Sequence, residues 1–246
     1  MSGRRVAILQ SSYIPWRGYF TIMKWCDVFV VLDSVQFTRR DWRSRNRIRT
    51  GRGPVWLTVP LQQRGQYLSP IDAMVVAEPG WWTGHLGQIE AAYRPAPFGP
   101  AVLGELKEAY AAAASSPRLT DINTGLAAWI CDRLAIRTPV VRDVDLLPRA
   151  ELAALDATER LVALTRAAGG TSYLSGPAAR EYLETGRFAR HGIAVEWMEY
   201  VGLLPYPQHG GGWEPQISIL DAFLNIGFEA TRLSLPEAPA RPVAGG

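Results

Sequence analysis

The chain opens on apolar runs separated by an amphipathic stretch. Val6-Ala-Ile-Leu9 is a short continuous apolar run, Gly18–Trp25 repeats apolar residues at helical spacing, and Val28-Phe-Val-Val-Leu32 is a second run closed by Asp33. Runs of this length without polar alternation suit strands buried on both faces, and strand, helix and strand together have the size of a βαβ crossover. Further strands are expected at Val55–Val59, closed by Pro60, and at Ile71–Val76, with short ones at Val140–Val141, Ser172–Leu174 and Ile193–Trp197. Apolar spacings of three and four predict helices over Trp81–Tyr93, Ala101–Ala114, Leu119–Leu134, Asp156–Ala168 and Gln216–Asn225, the last stopping near Gly227. Strands alternating with helices predict an α/β fold of Rossmann-like type, with a mainly parallel sheet and flanking helices. The helices within 79–134 form one block, read as a helical cap or subdomain inserted in a single α/β domain covering 1–233. From Ser234 to the end at 246 periodicity is lost and Pro and Gly abound, which predicts a disordered tail.

Composition bounds the class without naming a function. The chain has 246 residues, 48% hydrophobic and 20% charged, which excludes fibrous, collagen-like and largely disordered proteins. Val6–Leu9 is too short for a signal-peptide core, and no apolar run approaches the roughly 20 residues that cross a bilayer, so a cytoplasmic protein without membrane contact is expected. Cys26 and Cys131 stand in apolar helical patterns with no metal-ligand spacing and read as buried, reduced thiols.

Net charge is +3, but its distribution matters more. Residues 39–52 hold seven arginines against one acid, Asp41, so this segment is +6 and the rest of the chain −3. Arg43, Arg45, Arg47 and Arg49 recur every second residue, which in a strand puts four guanidiniums on one face and Trp42, Ser44, Asn46 and Ile48 on the other. The turn-rich Thr50-Gly-Arg-Gly-Pro54 that follows suggests a hairpin with Val55–Val59. Like charges about 7 Å apart lie within a Debye length, so such a face is repulsive unless anions sit on it. It is therefore expected to bind phosphate by bidentate guanidinium contacts, a solvated basic strand being the other reading.

In open parallel sheets ligands bind outside the carboxyl ends of the strands. That rule selects Gln10-Ser-Ser-Tyr-Ile-Pro-Trp16 after the first strand and Asp33-Ser-Val-Gln36 after the second, with Gln10, Tyr13, Trp16, Asp33 and Gln36 as candidates. The first loop carries no GxGxxG, Walker A or HxGH sequence, so neither a dinucleotide nor a P-loop phosphate cradle is indicated and any cofactor stays unknown, and a structural turn with Tyr13 and Trp16 packed on the helix fits the same residues. His85, one helical turn after Trp81, and His209, in the loop Tyr206-Pro-Gln-His-Gly-Gly-Gly212, are the candidate bases, since an imidazole exchanges protons near neutral pH. Each also fits a structural role. His191 reads as a helix cap, and Asp221, in an otherwise apolar helix, could orient His209 or an arginine.

Six separated segments together resemble the WbqC-like protein family: 6–20 (Val-Ala-Ile-Leu-Gln-Ser-Ser-Tyr-Ile-Pro-Trp-Arg-Gly-Tyr-Phe), 33–38, 41–48, 56–60, 173–177, and 217–225. The family's usual Gln-Pro-Ser-Tyr opening reads Gln10-Ser-Ser-Tyr13 here. Members occur among genes for O-antigen, other surface glycans and specialised metabolites. The resemblance implies a transferase that attaches a small acyl or aminoacyl group, such as glycyl, to an amine of an amino sugar or another intermediate. The donor it implies is an acyl group activated on tRNA, a carrier protein or a nucleotide. Gln10, Tyr13, Asp33, Gln36, Arg45, Asn46 and His85 are the matching site positions. With Arg43 and Arg47 added from the strand phase, the expected partner is a phosphorylated small molecule. Two other readings stand beside it: a nucleotide-binding or nucleotidyl-transfer enzyme, for the opening strand–loop–helix, and an RNA-binding module, for Trp42 and the arginines. An RNA binder using seven phosphate contacts would show a log–log salt slope near about −5.

Overall fold

The computed structural model describes residues 3–239. Strands β1 (Arg5–Leu9) and β2 (Val28–Val31) flank helix α1 (Arg17–Trp25), as the opening pattern predicts. A hairpin of β3 (Arg45–Thr50) and β4 (Gly53–Thr58) follows, then helices α2 (Trp81–Tyr93), α3 (Gly99–Ala113) and α4 (Leu119–Arg133). The chain returns to the sheet as β5 (Val140–Arg142), turns through α5 (Asp143–Leu146), α6 (Arg149–Ala154) and α7 (Ala157–Ala167), and adds β6 (Ser172–Ser175). Helix α8 (Thr185–Arg190), strand β7 (Ala194–Trp197) and helix α9 (Leu220–Leu233) complete it.

Five parallel strands lie in the order β5-β2-β1-β6-β7, a Rossmann-like α/β sheet. Both faces are covered, which explains the unbroken apolar runs. Ala7, Phe29 and Val31 point into a core shared with α1 to α4, α9 and the hairpin, whereas Val6, Ile8, Val28 and Val30 point into a second core with Val162, Leu164 and Phe188. The block 79–134 is continuous with the first core: Ile89, Leu106, Tyr110, Ile122 and Ile130 pack in the same cluster as the sheet residues. Strand order reverses beside β1, which has β2 on one side and β6 on the other. The carboxyl end of β1 is thus the topological switch point, where ligands of open α/β sheets bind.

Three expectations are corrected. Ile71–Val76 is not a strand: Ile71–Ala73 forms a 3-10 turn, and only isolated bridges, Leu61 to Val76 and Val75 to Arg118, follow. β2 takes β1 and β5 as its neighbours, and this segment instead makes single bridges while buried Asp72 draws Arg149 at 2.5 Å. Helix α9 begins at Leu220 rather than Gln216, because Ser218 and Ile219 spend their N–H groups on Arg47 O and Pro15 O, both at 3.0 Å. It also continues past Gly227, whose φ of 78° kinks it. Finally, Ser234–Glu237 does not begin a disordered tail: Leu235 is buried, Trp25 donates to Pro236 O at 2.8 Å, and Lys24 pairs with Glu237 at 2.6 Å. Residues 240–246 of the expected tail lie outside the described residues.

Gly227 combines a left-handed φ with a close neighbour: a Cβ there would lie 2.8 Å from Phe98 Cε1. Gly227→Ala is expected to lower stability by about 2 kcal/mol, read from urea denaturation, because strain and overpacking add.

Candidate functional site

The β1–α1 loop, residues 10–16, is pinned on every side. Ser11 N–H donates to Asp33 Oδ1 at 2.9 Å, and Thr120 Oγ1 donates to Asp33 Oδ2 at 2.7 Å. Asn46 Nδ2 donates to the carbonyls of Tyr13 and Ile14 at 3.0 and 2.9 Å, and Tyr13 N–H donates to Trp42 O at 3.0 Å. Arg43 Nη1 donates to Gln10 O at 3.2 Å, as does Tyr19 Oη. These contacts hold Ile14 at φ 37°, an unfavourable conformation for a β-branched residue. Asp33 is buried, and desolvation raises its pKa despite the Ser11 and Thr120 hydrogen bonds and the nearby Arg43. It is a positioning residue for this loop.

The arginine run does not form one face. Thr38 Oγ1 and Trp42 N–H both donate to Asp41, Arg40 takes φ 57°, and the chain turns until Arg45, where the strand begins. Arg43 therefore sits before the strand and faces the β1–α1 loop. Arg45, Arg47 and Arg49 keep one strand face, Arg49 itself buried, with Asn46 and Ile48 buried on the other. Their repulsion is relieved within the chain, by means not visible in the strand phase. Arg45 stacks over Trp56 at 3.9 Å, and Arg47 lies 5.6 Å from Trp56 and 5.9 Å from Trp42. Arg47 pairs with Glu214 at 3.2 Å and donates to Gln216 O at 3.0 Å, and Arg49 donates to Gln208 Oε1 at 3.1 Å.

Two cavities meet at the carboxyl end of β1. One, of about 360 Å³, is walled by the indoles of Trp16 and Trp42, by Tyr200, and by Ser12, Arg43 and Asn46. Trp16 lies flat on Gly18, where any Cβ would come within 2.2 Å of the indole, and Tyr200 meets the Trp16 ring edge-on at 4.9 Å between centroids. Glycine after Trp-Arg is thus what lets the indole cover the start of α1. The second cavity, of about 770 Å³, runs along β2 and β5 under α4, with an apolar floor of Met23, Phe29, Val31 and Cys131. Its rim carries Asp121, Asp145, Arg137 and Arg142. Ser12 and Tyr19 line both cavities and mark their junction. Asn123, in the wall of the larger cavity, donates to Ser11 Oγ and Arg43 O at 3.0 and 2.9 Å, and among the described residues its buried Oδ1 has no hydrogen-bond partner.

The sequence candidates divide accordingly. Trp16, Arg43 and Asn46 line the smaller cavity, Gln10 is tied to Arg43 through its carbonyl, and Asp33 holds the loop. Tyr13 is wholly buried: its hydroxyl meets His85 Nδ1 at 2.7 Å and Tyr110 Oη at 2.5 Å. His85 Nε2 donates to Thr58 O at 3.2 Å, so Nδ1 accepts from Tyr13, and burial pushes the His85 pKa down to about 4. His209 is elsewhere, donating from Nε2 to Ala92 O at 2.9 Å beside the Tyr93 ring. Among the described residues no histidine lines either cavity. Gln36 lies apart, donating to Tyr67 O at 3.0 Å, and Arg45 faces a different cavity. Asp221 accepts from Tyr93 and Tyr206, at 2.8 and 2.6 Å. Cys26 and Cys131 are free and buried, their thiol pKa values raised to about 12.

Ser12, Tyr19, Asn123 and Tyr200 were not anticipated. Tyr200 follows β7, so applying the strand-end rule to that strand too would have found it.

A sequence profile described as the WbqC-like protein family matches residues 10–233. The chain belongs to the WbqC-like family. A protein of Mycobacterium tuberculosis (strain ATCC 25618 / H37Rv), named Uncharacterized protein Rv1507c, is 39% identical over 227 residues, which is 92% of this chain and 96% of that protein. No solved structure matches. The segments that carry the WbqC-like pattern, 6–20, 33–38 and 41–48, are those that build and pin the β1–α1 loop. Among the described residues no helix is long and apolar enough to cross a membrane.

His85 makes a pH prediction. Folding suppresses its protonation, so between its ordinary value of 6.5 and the folded value of about 4 the unfolded chain binds a proton that the folded chain does not. Its contribution is complete above pH 6.5, declines as pH falls, and is fully lost below about 4. Urea denaturation should show about 2 kcal/mol lost through this group between pH 7.5 and pH 5, and His85→Gln should flatten that part of the profile.

Proposed function

We propose that the joined cavities at the switch point catalyse transfer of a small acyl or aminoacyl group, such as glycyl, to the amine of an amino sugar or specialised-metabolite intermediate. The observation that carries this reading is that two unlike cavities share Ser12 and Tyr19 in their walls, with Asn123 in the wall of the larger. Group transfer between two substrates needs two compartments whose reacting ends touch, and positioning supplies much of the rate. The unsatisfied Asn123 Oδ1 accepts an N–H from the attacking amine and aims its lone pair. Arg43, with the aromatic walls of the smaller cavity, holds a phosphate-bearing ring compound by charge and stacking.

The chemistry balances without a resident base. The amine nitrogen bonds to the acyl carbon, the bond from that carbon to the leaving oxygen or sulfur breaks, and the proton shed by nitrogen ends on the leaving atom. With both histidines engaged elsewhere, His85 and His209 act in the scaffold and Asp33 acts through the loop.

A second reading, nucleotide binding with nucleotidyl transfer, draws on Trp16 and Tyr200 over the start of α1, where helix amides favour an anion. It requires ATP- or CTP-dependent release of pyrophosphate. The RNA-binding reading draws less from the fold, since Arg47 and Arg49 are engaged by Glu214, Gln216 and Gln208.

Incubation with activated glycyl donors and an amino-sugar nucleotide should yield a product heavier by one glycyl unit in mass spectrometry. Arg43→Ala should lower kcat/KM by about tenfold or more, the loss of a charge-assisted contact, with the circular dichroism spectrum retained. No product from any of these donor and acceptor pairs, with folded protein, would overturn the reading; pyrophosphate release would favour the second.

A further inference from the structure

Apart from the cleft, three arginines converge on one hollow, with no carboxylate among the described residues to oppose them. Arg39, Arg40 and Arg45 line a cavity of about 350 Å³ together with Ser44, Thr58 and Gln63. Among the described residues no carboxylate lies within 4.0 Å of any of the three guanidiniums, although Arg47, their neighbour in sequence, has Glu214. Asp41, the one acid of the segment, is turned away, held by Thr38 and its own loop at a position 3.9 Å from Arg43.

The hollow is built rather than incidental. Arg45 is fixed by stacking on Trp56 at 3.9 Å, and its Nε is buried without a partner. Thr58 is opposite Arg45 in the hairpin register, so the hydroxyl-bearing residue and the guanidinium enter the cavity from paired positions. Arg40 is held at φ 57°, a conformation that costs a non-glycine residue free energy. A protein surface with three unopposed guanidiniums, hydroxyls and an amide is complementary to a multiply charged oxyanion. A second hollow of about 300 Å³ adjoins it, sharing Arg39 and Gln63, and offers Gln36, Gln66 and Tyr67. The Tyr67 side chain is 72% exposed, open to stacking by a flat ring.

From this arrangement we infer a second ligand site, separate from the switch-point cleft, that binds a nucleoside diphosphate: phosphates on Arg39, Arg40 and Arg45, the base against Tyr67 and the glutamine amides. The inference does not rest on acyl transfer. It also gives Gln36 and Arg45, which the cleft leaves out, a common location.

Isothermal titration of the full-length protein with UDP, inorganic pyrophosphate and uridine tests it. UDP should bind more tightly than pyrophosphate, uridine weakly, and pyrophosphate should compete with UDP. The exposed pair Arg39→Ala with Arg40→Ala should weaken UDP binding at least tenfold while unfolding transitions stay unchanged, and Tyr67→Ala should weaken UDP but not pyrophosphate. Arg43→Ala, in the cleft, should remove at most a second UDP-binding event there and leave in place the event that the Arg39 and Arg40 pair abolishes. UDP binding that responds to Arg43→Ala and not to the Arg39 and Arg40 pair would overturn the site. So would the absence of any UDP or pyrophosphate binding, or binding of a single-stranded RNA that UDP does not displace.

Discussion

The fold turns on one buried carboxylate. Asp33, at the end of β2, receives the Ser11 amide from the β1–α1 loop and the Thr120 hydroxyl from α4, so a single side chain ties the central strand, its neighbour and the helical block together. Taking a carboxylate out of water is costly unless hydrogen bonds replace its hydration, and here two donors and the nearby Arg43 do so. Desolvation still dominates and raises its pKa. The cost is offset by what it fixes: the direction in which the chain leaves β1, and hence the position of Ser12, Trp16 and Tyr19 around the cleft.

A loop fixed at both its carbonyls and its amides leaves few freedoms, and the hairpin removes most of those. Asn46 is buried because its amide faces two consecutive loop carbonyls, while its own Oδ1 accepts from Arg47 N–H at 2.7 Å. The strained φ of Ile14 persists because these bonds over-determine it. The result is a rigid wall, and the glycine at 18 lets the Trp16 indole complete that wall. Preorganisation of this kind is what the proposed transfer would draw on.

Much of the architecture was legible from the apolar pattern because strands covered on both faces leave unbroken runs. β1, β2 and their crossover, the helices α2 to α4, and the parallel sheet all follow from local periodicity and spacing. Ile71–Val76 failed because an apolar run says nothing of what the segment pairs with, and here it makes only isolated bridges around a buried Asp72 that draws Arg149. The site was half legible. Trp16 was reachable through the strand-end rule and Asn46 through the family pattern, whereas Arg43 reaches the cleft by a turn the strand phase did not show, and the sequence could not tell the settings of His85 and His209 from those of proton-exchanging groups. Their partners, Tyr13 with Thr58 and Ala92 with Asn225, are distant in sequence. Asn123 was invisible for the same reason, its role arising only when α4 crosses the loop.

The arginine segment shows how strand phase and burial divide one sequence feature into several physical ones. Period-two spacing correctly put Arg45, Arg47 and Arg49 on one side, but a shared side does not mean a shared partner. The turn anchored on Asp41 rotates Arg43 toward the loop carbonyls, Trp56 and Trp42 offer π faces to Arg45 and Arg47, and Glu214 arrives from a loop more than 160 residues downstream. Once these contacts are made, Arg43 stands beside the cleft 3.9 Å from Asp41, whereas Arg39, Arg40 and Arg45 share their own hollow with no carboxylate of the described residues within 4.0 Å, so one run of sequence supplies guanidiniums to two separate places.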